Sequence, residues 1–300
     1  MLLIIGSIVV IASVVGGFVL SHGELLALWQ PYELIIIGGA AIGSFLASNP
    51  PKVVGAVFKG VPALLGGSRY KRQDYVDLLS LLFDIFNKVR KEGLVSLESH
   101  IDDPTSSALF SAYPRLLKDH HLIEFVTDCL RLMVGGNMNP HELEHLLDVE
   151  LETHHREATE PAHAVTKLAD ALPGFGIVAA VLGIVTTMGS IGGGDTAEIG
   201  RHVAGALVGT FLGILLAYGF IGPAGTALEH RAHEDGKAFE CVKVALLAQL
   251  RGYNPQVAVE FARKTLSSKV RPSFSDLEGH LKGARGAQRL PPSWRRPPRR

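Results

Sequence analysis

Two stretches near the middle of the chain, Ala171–Gly194 and His202–Leu228, contain no Asp, Glu, Lys or Arg and restrict the fold more than any other feature. Each is longer than the roughly 20 apolar residues that an α-helix needs to cross about 30 Å of hydrocarbon. Only a short polar turn separates them. They are therefore predicted to form a helical hairpin through a membrane.

The second stretch carries a small residue at every fourth position. On an α-helix such residues lie on one face, and a small face lets neighbouring helices approach closely in lipid, where no hydrophobic effect drives helices together. The pattern predicts a helix that packs tightly against others through four positions: Gly205, Gly209, Gly213 and Ala217.

Two more apolar segments precede the hairpin, Met1–His22 and about Leu34–Ala47. The link after the second segment is rich in Lys and Arg, whereas the link between the two has neither. Because basic residues beside membrane spans stay in the cytoplasm, both termini and the long middle region are predicted to be cytoplasmic. The chain, with 47% apolar residues, is predicted to be an all-α polytopic membrane protein with four transmembrane helices and a helical cytoplasmic domain.

Periodicity and composition divide the chain into five predicted regions. These are transmembrane helices 1 and 2 in residues 1–50, a cytoplasmic helical domain in 51–170, transmembrane helices 3 and 4 in 171–228, C-terminal cytoplasmic helices in 229–288 and a disordered basic tail in 289–300. The formal net charge is zero, which does not indicate nucleic-acid binding. Cys129 and Cys241 fall in predicted cytoplasmic regions, where a disulfide is not expected.

The segment His141-Glu142-Leu143-Glu144-His145 matches the zinc-protease pattern HExxH. In such a pattern two imidazoles on one helical face bind zinc and the carboxylate acts as a base. Here the motif stands at the capped start of an acidic surface helix, and no third ligand follows at a suitable spacing. A solvated polar face is the preferred interpretation, with no metal and no cofactor; a membrane metalloprotease remains an alternative.

None of the four predicted spans has an ionisable acid or base in its interior. Transporters usually carry such groups because an ion needs a site inside the membrane. The spans offer hydroxyl groups, which do not carry a proton at neutral pH: Thr186, Thr187 and Ser190 in span three, Thr210 and Tyr218 in span four. If the chain takes part in conduction, the titrating carboxylate is expected from another chain packed against the glycine face.

Three residues of the hairpin each allow two interpretations. Thr210 either hydrogen-bonds its own backbone at i−4 or lines a wet path. Pro173 and Pro223 stand near the cytoplasmic ends of the hairpin, where proline removes a backbone hydrogen bond and bends a helix. Each either marks a helix boundary or acts as a hinge that passes a change in the membrane to the cytoplasmic domain.

Five segments of the sequence are specific enough to compare with known proteins: Gln30–Leu34, Tyr113–Arg115, Leu172–Ala180, Val208–Phe220 and Ala258–Lys264. They resemble the MotA family of bacterial flagellar motor stator proteins, within the MotA/TolQ/ExbB proton-channel family, and Leu172–Ala180 and Val208–Phe220 are similar to that family's third and fourth spans. The resemblance extends from Met1 to about Leu277.

The resemblance implies a torque-generating, non-enzymatic subunit in the bacterial inner membrane. In the family, five copies surround two MotB chains, and MotB supplies the proton-carrying aspartate and the peptidoglycan anchor. Charges corresponding to Arg90 and Glu98 act on the rotor protein FliG. The family's two functional prolines match Pro173 and Pro223, and its channel-lining residues include those at Thr210 and Tyr218. An ExbB/TolQ-type energy-coupling subunit is the alternative, against which stand the four spans and the Arg90/Glu98 pair.

Overall fold

The computed structural model describes residues 2–136, 139–189 and 196–289, which contain helices and no β-strand. The α-helices are α1 (Leu2–Leu20), α2 (Pro31–Ser48), α3 (Pro51–Ala63), α4 (Arg72–Glu92), α5 (Glu98–Asp102), α6 (Ala108–Ser111), α7 (Pro114–Leu117), α8 (His120–Val134), α9 (Pro140–Gly189), α10 (Thr196–Leu216), α11 (Gly222–Leu250), α12 (Pro255–Thr265) and α13 (Phe274–Arg289). Within these ranges four helical segments are long and apolar enough to cross a membrane. The predicted fold class is therefore confirmed.

The described chain divides into two compact units. The membrane unit comprises the described residues up to Gly67 and those from Arg156 to His233, and the second unit comprises the rest. Helices α9 and α11 each continue from one unit into the other without interruption. Three predicted features lie outside the described residues: Ser190, the turn at Gly192–Gly194, and residues 290–300 of the basic tail.

The second span begins earlier than its hydropathy suggests. Helix α2 starts at Pro31, in the first helical position where proline's missing N–H costs no hydrogen bond. Its first turn therefore contains Glu33, whose side chain is buried. The helix thus carries an acidic residue in its first turn, just outside the predicted apolar segment of about Leu34–Ala47.

The membrane unit packs its helices unequally. Ile37 and Ala41 of α2 are buried in one cluster with Leu172 and Ala179 of α9 and with Ala217. The amphipathic helix α3 buries its apolar face in a second cluster with residues of α9 and α11. By contrast, α1 has no buried residue, so its own chain covers very little of it.

The second unit has a large apolar core built from α4, α8, α11 and α12. Leu78, Leu82 and Ile85, which lie on one face of α4, are buried there. Burying one such side chain fully contributes about 1.5–3 kcal/mol. Cys129 and Cys241 are buried free thiols in this unit.

An ion pair fixes the C-terminal turn of α12. The guanidinium of Arg263 is largely buried and donates to both carboxylate oxygens of Glu260, at 2.7 and 2.6 Å, and to the backbone oxygen of Pro272 at 2.8 Å. The hydrogen bonds from Arg263 lower the pKa of Glu260 below its usual value. The pair thus joins α12 to the segment before α13.

Candidate functional site

A seam of glycines joins α9 and α10. Gly205, Gly209, Gly213 and Ala217, the four small positions of α10 and the segment after it, are all buried. A Cβ atom at Gly213 would lie 2.7 Å from the backbone oxygen of Leu172 and 2.9 Å from the Cα of Gly176. Such distances lie inside van der Waals contact, so the two backbones touch and no side chain fits between them.

Glu33 of α2 lies against the same seam. Its side chain is only 8% exposed, and its Oε2 atom has no hydrogen-bond partner among the described residues. A Cβ at Gly209 would stand 2.7 Å from Oε2 of Glu33, and a Cβ at Gly183 would stand 3.3 Å from Oε1. The carboxyl group therefore occupies the space that glycine leaves on both α9 and α10.

Sequence reasoning missed Glu33, although a signal for it exists. The sequence Gln30-Pro31-Tyr32-Glu33 combines proline at a helix start with an acid in the first turn, where the helix dipole favours a negative charge. Starting α2 at Pro31 would have placed the carboxylate in the helix. The expected titrating carboxylate of another chain stays a prediction, and the structure adds Glu33 as a carboxyl group of this chain at the glycine face.

The predicted hydroxyl residues lie in different environments. Thr186 and Thr187 donate to the backbone oxygens of Leu182 and Gly183, at 2.9 and 2.8 Å, and Thr187 is fully buried whereas Thr186 is exposed. Thr210 makes no side-chain hydrogen bond to any residue that the structure describes, so the bond to its own backbone at i−4 is not formed. Tyr218 is 68% exposed.

The two predicted prolines occupy different backbone settings. Pro173 lies inside the continuous helix α9. Pro223 follows a π-helical segment, Ala217–Ile221, after which the N–H of Gly222 donates to the backbone oxygen of Ala217, five residues earlier. Because Pro223 has no N–H, the oxygen of Gly219 lacks the α-helical donor four residues on, and the π-helical segment lies directly before this missing bond.

Arg90 and Glu98 flank a short turn on the surface of the second unit. Arg90 is in the last turn of α4, and Glu98 begins α5 after a 3₁₀ turn, Leu94–Leu97. Both side chains are exposed and form no ion pair with any described residue. Nearby Lys88 and Glu92 are paired at 2.6 Å. Leu97 anchors the turn in the apolar core of the second unit, and the turn presents two opposite charges that have no ion-pair partner in the part of the chain that the structure describes.

The HExxH segment forms a helix start. The side chain of Asn139 accepts from the N–H groups of His141 and Glu142, and Oε2 of Glu142 accepts from the N–H of Asn139 at 3.0 Å. This is a capping arrangement. The carboxylate of Glu142, which a protease would need as its base, is engaged in the cap. No group of three metal-ligating side chains occurs among the described residues.

Comparison with known proteins gives matches along most of the chain. Residues 4–93 match the family model for the N-terminal region of Motility protein A. Residues 118–240 match the model of the MotA/TolQ/ExbB proton channel family. Together these two regions contain Glu33, Arg90 at the end of α4, and both helices of the glycine seam.

Full-length relatives are also similar. Motility protein A of Salmonella typhimurium is 48% identical over 95% of this chain and 96% of its own length. Motility protein A of Escherichia coli is 48% identical over 96% of this chain and 97% of its own length. The solved MotAB structure of C. jejuni has a chain with a TM-score of 0.72 at 20% identity, covering 91% of this chain and 98% of that one.

Proposed function

Because this chain belongs to the Motility protein A family, we propose that it is the stator subunit of a flagellar motor, forming with a MotB-type partner a proton-conducting complex that converts ion flow into torque. The observation that carries this proposal is the 48% identity to Motility protein A over 95% of the chain. The chain is a multi-pass membrane protein, and the solved chains that share its fold come from MotAB complexes.

The energy comes from the movement of protons down their electrochemical gradient across the membrane. Moving one elementary charge through 100 mV releases about 2.3 kcal/mol, which is enough to shift an equilibrium between two helix packings. In the proposed mechanism the proton is carried by an aspartate of the MotB-type partner. Thr210, whose hydroxyl has no hydrogen-bond partner among the described residues, and Tyr218, with its exposed ring, line the path on this chain, together with Thr186 and Thr187.

In the proposed mechanism, the glycine seam between α9 and α10 is the part of the chain whose packing changes when the partner's aspartate changes its charge. Backbones in direct contact at Gly176 and Gly213 have only a few stable arrangements, because any sliding brings main-chain atoms into collision. A change of charge on the partner's aspartate alters which arrangement is preferred. Glu33, buried at the seam, is the ionisable group of this chain that takes part in that choice.

Movement then passes along helices that cross from the membrane unit into the second unit. Helix α9 contains Pro173, and the π-helical segment with Pro223 stands at the start of α11. Both prolines act as hinges because each lacks the N–H that would stiffen its turn. The proposed output is a displacement of the exposed charges Arg90 and Glu98, which engage opposite charges on the rotor protein FliG.

The proposed assembly has five copies of this chain around two MotB-type chains in the inner membrane. The exposed apolar residues of α1, such as Ile8 and Val9 at 59% and 56% exposure, face lipid or neighbouring chains in such a ring. The excess of Lys and Arg after the second span supports a topology with both termini in the cytoplasm. The assembly acts without a cofactor and without enzymatic chemistry.

Complementation of motility tests the function. A strain lacking its own stator would receive this chain with the MotB-type protein of the same source, and swimming in soft agar would be measured in sodium-free medium. We expect swimming to be restored, and we expect Arg90→Ala and Pro173→Ala variants to reduce it. Absence of swimming, when both chains are found co-purifying from the membrane, would refute the proposal. Swimming only with added sodium would refute the assignment of the proton as the ion.

A further inference from the structure

A small hollow of about 200 Å³ lies in the second unit beside the start of α8. It is built from the segment before α4, the first turn of α4, the short helix α7 and the loop that follows α7. Its lining residues are Arg69, Tyr70, Asp74, Arg115, Leu116, Lys118 and Asp119. Three of these seven are cationic, and no proposed step of the motor uses any of them.

The carboxylate of Asp119 is already satisfied. It is largely buried, accepts a hydrogen bond from the hydroxyl of Tyr70 and pairs with Arg69 at 2.7 Å. It also caps α8 by accepting from the N–H of Leu122 at 3.3 Å. The charge of Arg69 is thus balanced by Asp119. The hydrogen bonds and the ion pair of Asp119 also fix the positions of Arg69 and Tyr70 in the wall of the hollow.

The other two cations are not compensated in this way. The side chains of Arg115 and Lys118 form no hydrogen bond or ion pair with any residue that the structure describes. The remaining carboxylate, Asp74, accepts a hydrogen bond from the N–H of Lys71 at 2.8 Å in the first turn of α4. Counting Arg69 with Asp119 as neutral, the hollow has two unpaired cations against one carboxylate, a net charge of +1.

We propose that this hollow binds a phosphate group. Arginine presents a planar fork of N–H donors that matches phosphate oxygens, and lysine adds a point charge, so Arg115 and Lys118 together supply the donors that a phosphate needs. A phosphate also has enough acceptor oxygens to use both residues at once. The proposal does not depend on the motor function.

The chain path leaves two sources for the phosphate group. Arg69 lies two residues after Gly67, where the membrane unit ends, and therefore follows the end of that unit closely in sequence. The headgroup of an anionic lipid and a free phosphate compound present the same phosphate oxygens to Arg115 and Lys118.

The test uses the complex of this chain with its MotB-type partner, purified in a neutral detergent. Binding of inorganic phosphate is measured by calorimetry at constant ionic strength, with chloride as the comparison anion. Because a hydrogen bond to a charged group contributes about 1.5–3 kcal/mol, each of Arg115→Gln and Lys118→Gln is expected to weaken binding about tenfold or more. The matched control is Lys269→Gln, an exposed lysine that does not line the hollow, and it should bind as the parent does.

A second titration separates the sources. Short-chain phosphatidylglycerol and short-chain phosphatidylcholine are added to the same complexes. Binding of phosphatidylglycerol that is lost in Arg115→Gln supports the lipid headgroup as ligand, and binding of inorganic phosphate alone supports a free phosphate compound. The proposal is overturned if neither probe binds the parent complex, or if both variants bind like the Lys269→Gln control. Unchanged thermal melting of the variants without ligand establishes that lost binding is not lost folding.

Discussion

The carboxylate of Glu33 lies against the backbone of Gly209, with Oε2 only 2.7 Å from the place where a Cβ of residue 209 would stand. This relationship brings an ionisable group of α2 to the seam between α9 and α10. A glutamine has the shape of glutamate but does not take up or release protons. We therefore expect Glu33→Gln to preserve assembly and to lower voltage-driven proton uptake by vesicles that contain the complex.

The control for this variant is Glu24→Gln, which alters an exposed glutamate in the link before α2. It should leave proton uptake at the parent level. Equal proton uptake by Glu33→Gln and the parent would show that the buried carboxyl group has no part in conduction.

A methyl group added to the seam should destabilise the membrane unit. In Gly213→Ala the new Cβ would meet the backbone of Leu172 and Gly176 at under 3 Å, and backbone cannot move aside cheaply. Overpacking of this kind costs about 1–3 kcal/mol. We expect a lower melting temperature of the complex, measured by thermal denaturation in detergent. In contrast, Gly174→Ala, whose Cβ would have no neighbour within 4 Å, should melt like the parent or slightly higher.

Restoring an N–H at position 223 should change the π-helical segment. In Pro223→Ala the backbone oxygen of Gly219 gains a donor four residues on, which favours an ordinary α-helical turn over the π-turn at Ala217–Ile221. Closing the π-turn shifts the register by one residue and rotates Thr210 relative to α11 by about 100°. We expect assembled complexes that no longer support swimming.

The comparison for Pro223→Ala is Pro161→Ala, which removes a proline from the interior of α9 where no π-turn is present. Swimming speed should not fall in this variant. If Pro223→Ala swims at the parent's speed, the π-turn is not needed for torque.

Reversing a charge on the exposed turn should affect torque and not folding. Arg90 has no ion-pair partner among the described residues, so Arg90→Glu is expected to change the free energy of unfolding by no more than about 0.5 kcal/mol. Swimming speed should fall strongly, because the variant repels a rotor surface that the parent attracts. Lys269→Glu makes the same change of charge elsewhere on the second unit and should swim normally. A slow Lys269→Glu variant would point to net charge as the cause.

The pair of Glu260 and Arg263 predicts a pH-dependent contribution to stability. The pKa of Glu260 is lowered in the folded state by Arg263, so its contribution is fully present above the carboxyl's unfolded pKa of about 4.3. It is lost as pH falls through the lower, folded value. At pH 7, Glu260→Gln should destabilise the second unit by about 1–3 kcal/mol, because Arg263 is left buried without its counter-charge.

Chemical denaturation of the parent and the Glu260→Gln complex at several pH values checks this prediction. The difference between them should be largest near neutral pH and should shrink in acid. A difference that stays constant down to low pH would mean that packing, and not the ion pair, stabilises this turn.

The helical architecture could be predicted from the sequence because hydropathy and four-residue spacing act locally. The burial of Gly205, Gly209 and Gly213 follows from their periodicity alone. Glu33 could not be found by a hydropathy window, because the helix continues past the apolar run into its own polar cap. The π-turn before Pro223 could not be predicted either. The proline predicts that one backbone hydrogen bond is missing, but the conformation that the backbone adopts there depends on the packing around it. The proposed contact of Arg90 and Glu98 with the rotor rests only on the family resemblance, because the sequence around an exposed charged residue does not indicate which partner it binds.

Helix α1 has consequences for how such proteins diversify. None of its side chains is buried and most of its aliphatic positions are exposed, so exchanging one aliphatic residue for another at those exposed positions changes the subunit's internal packing little. Selection at those positions must come from whatever surrounds the subunit. Sequence differences along this helix among relatives would then reflect differences in their membranes and neighbouring subunits and would carry little information about the fold of the subunit.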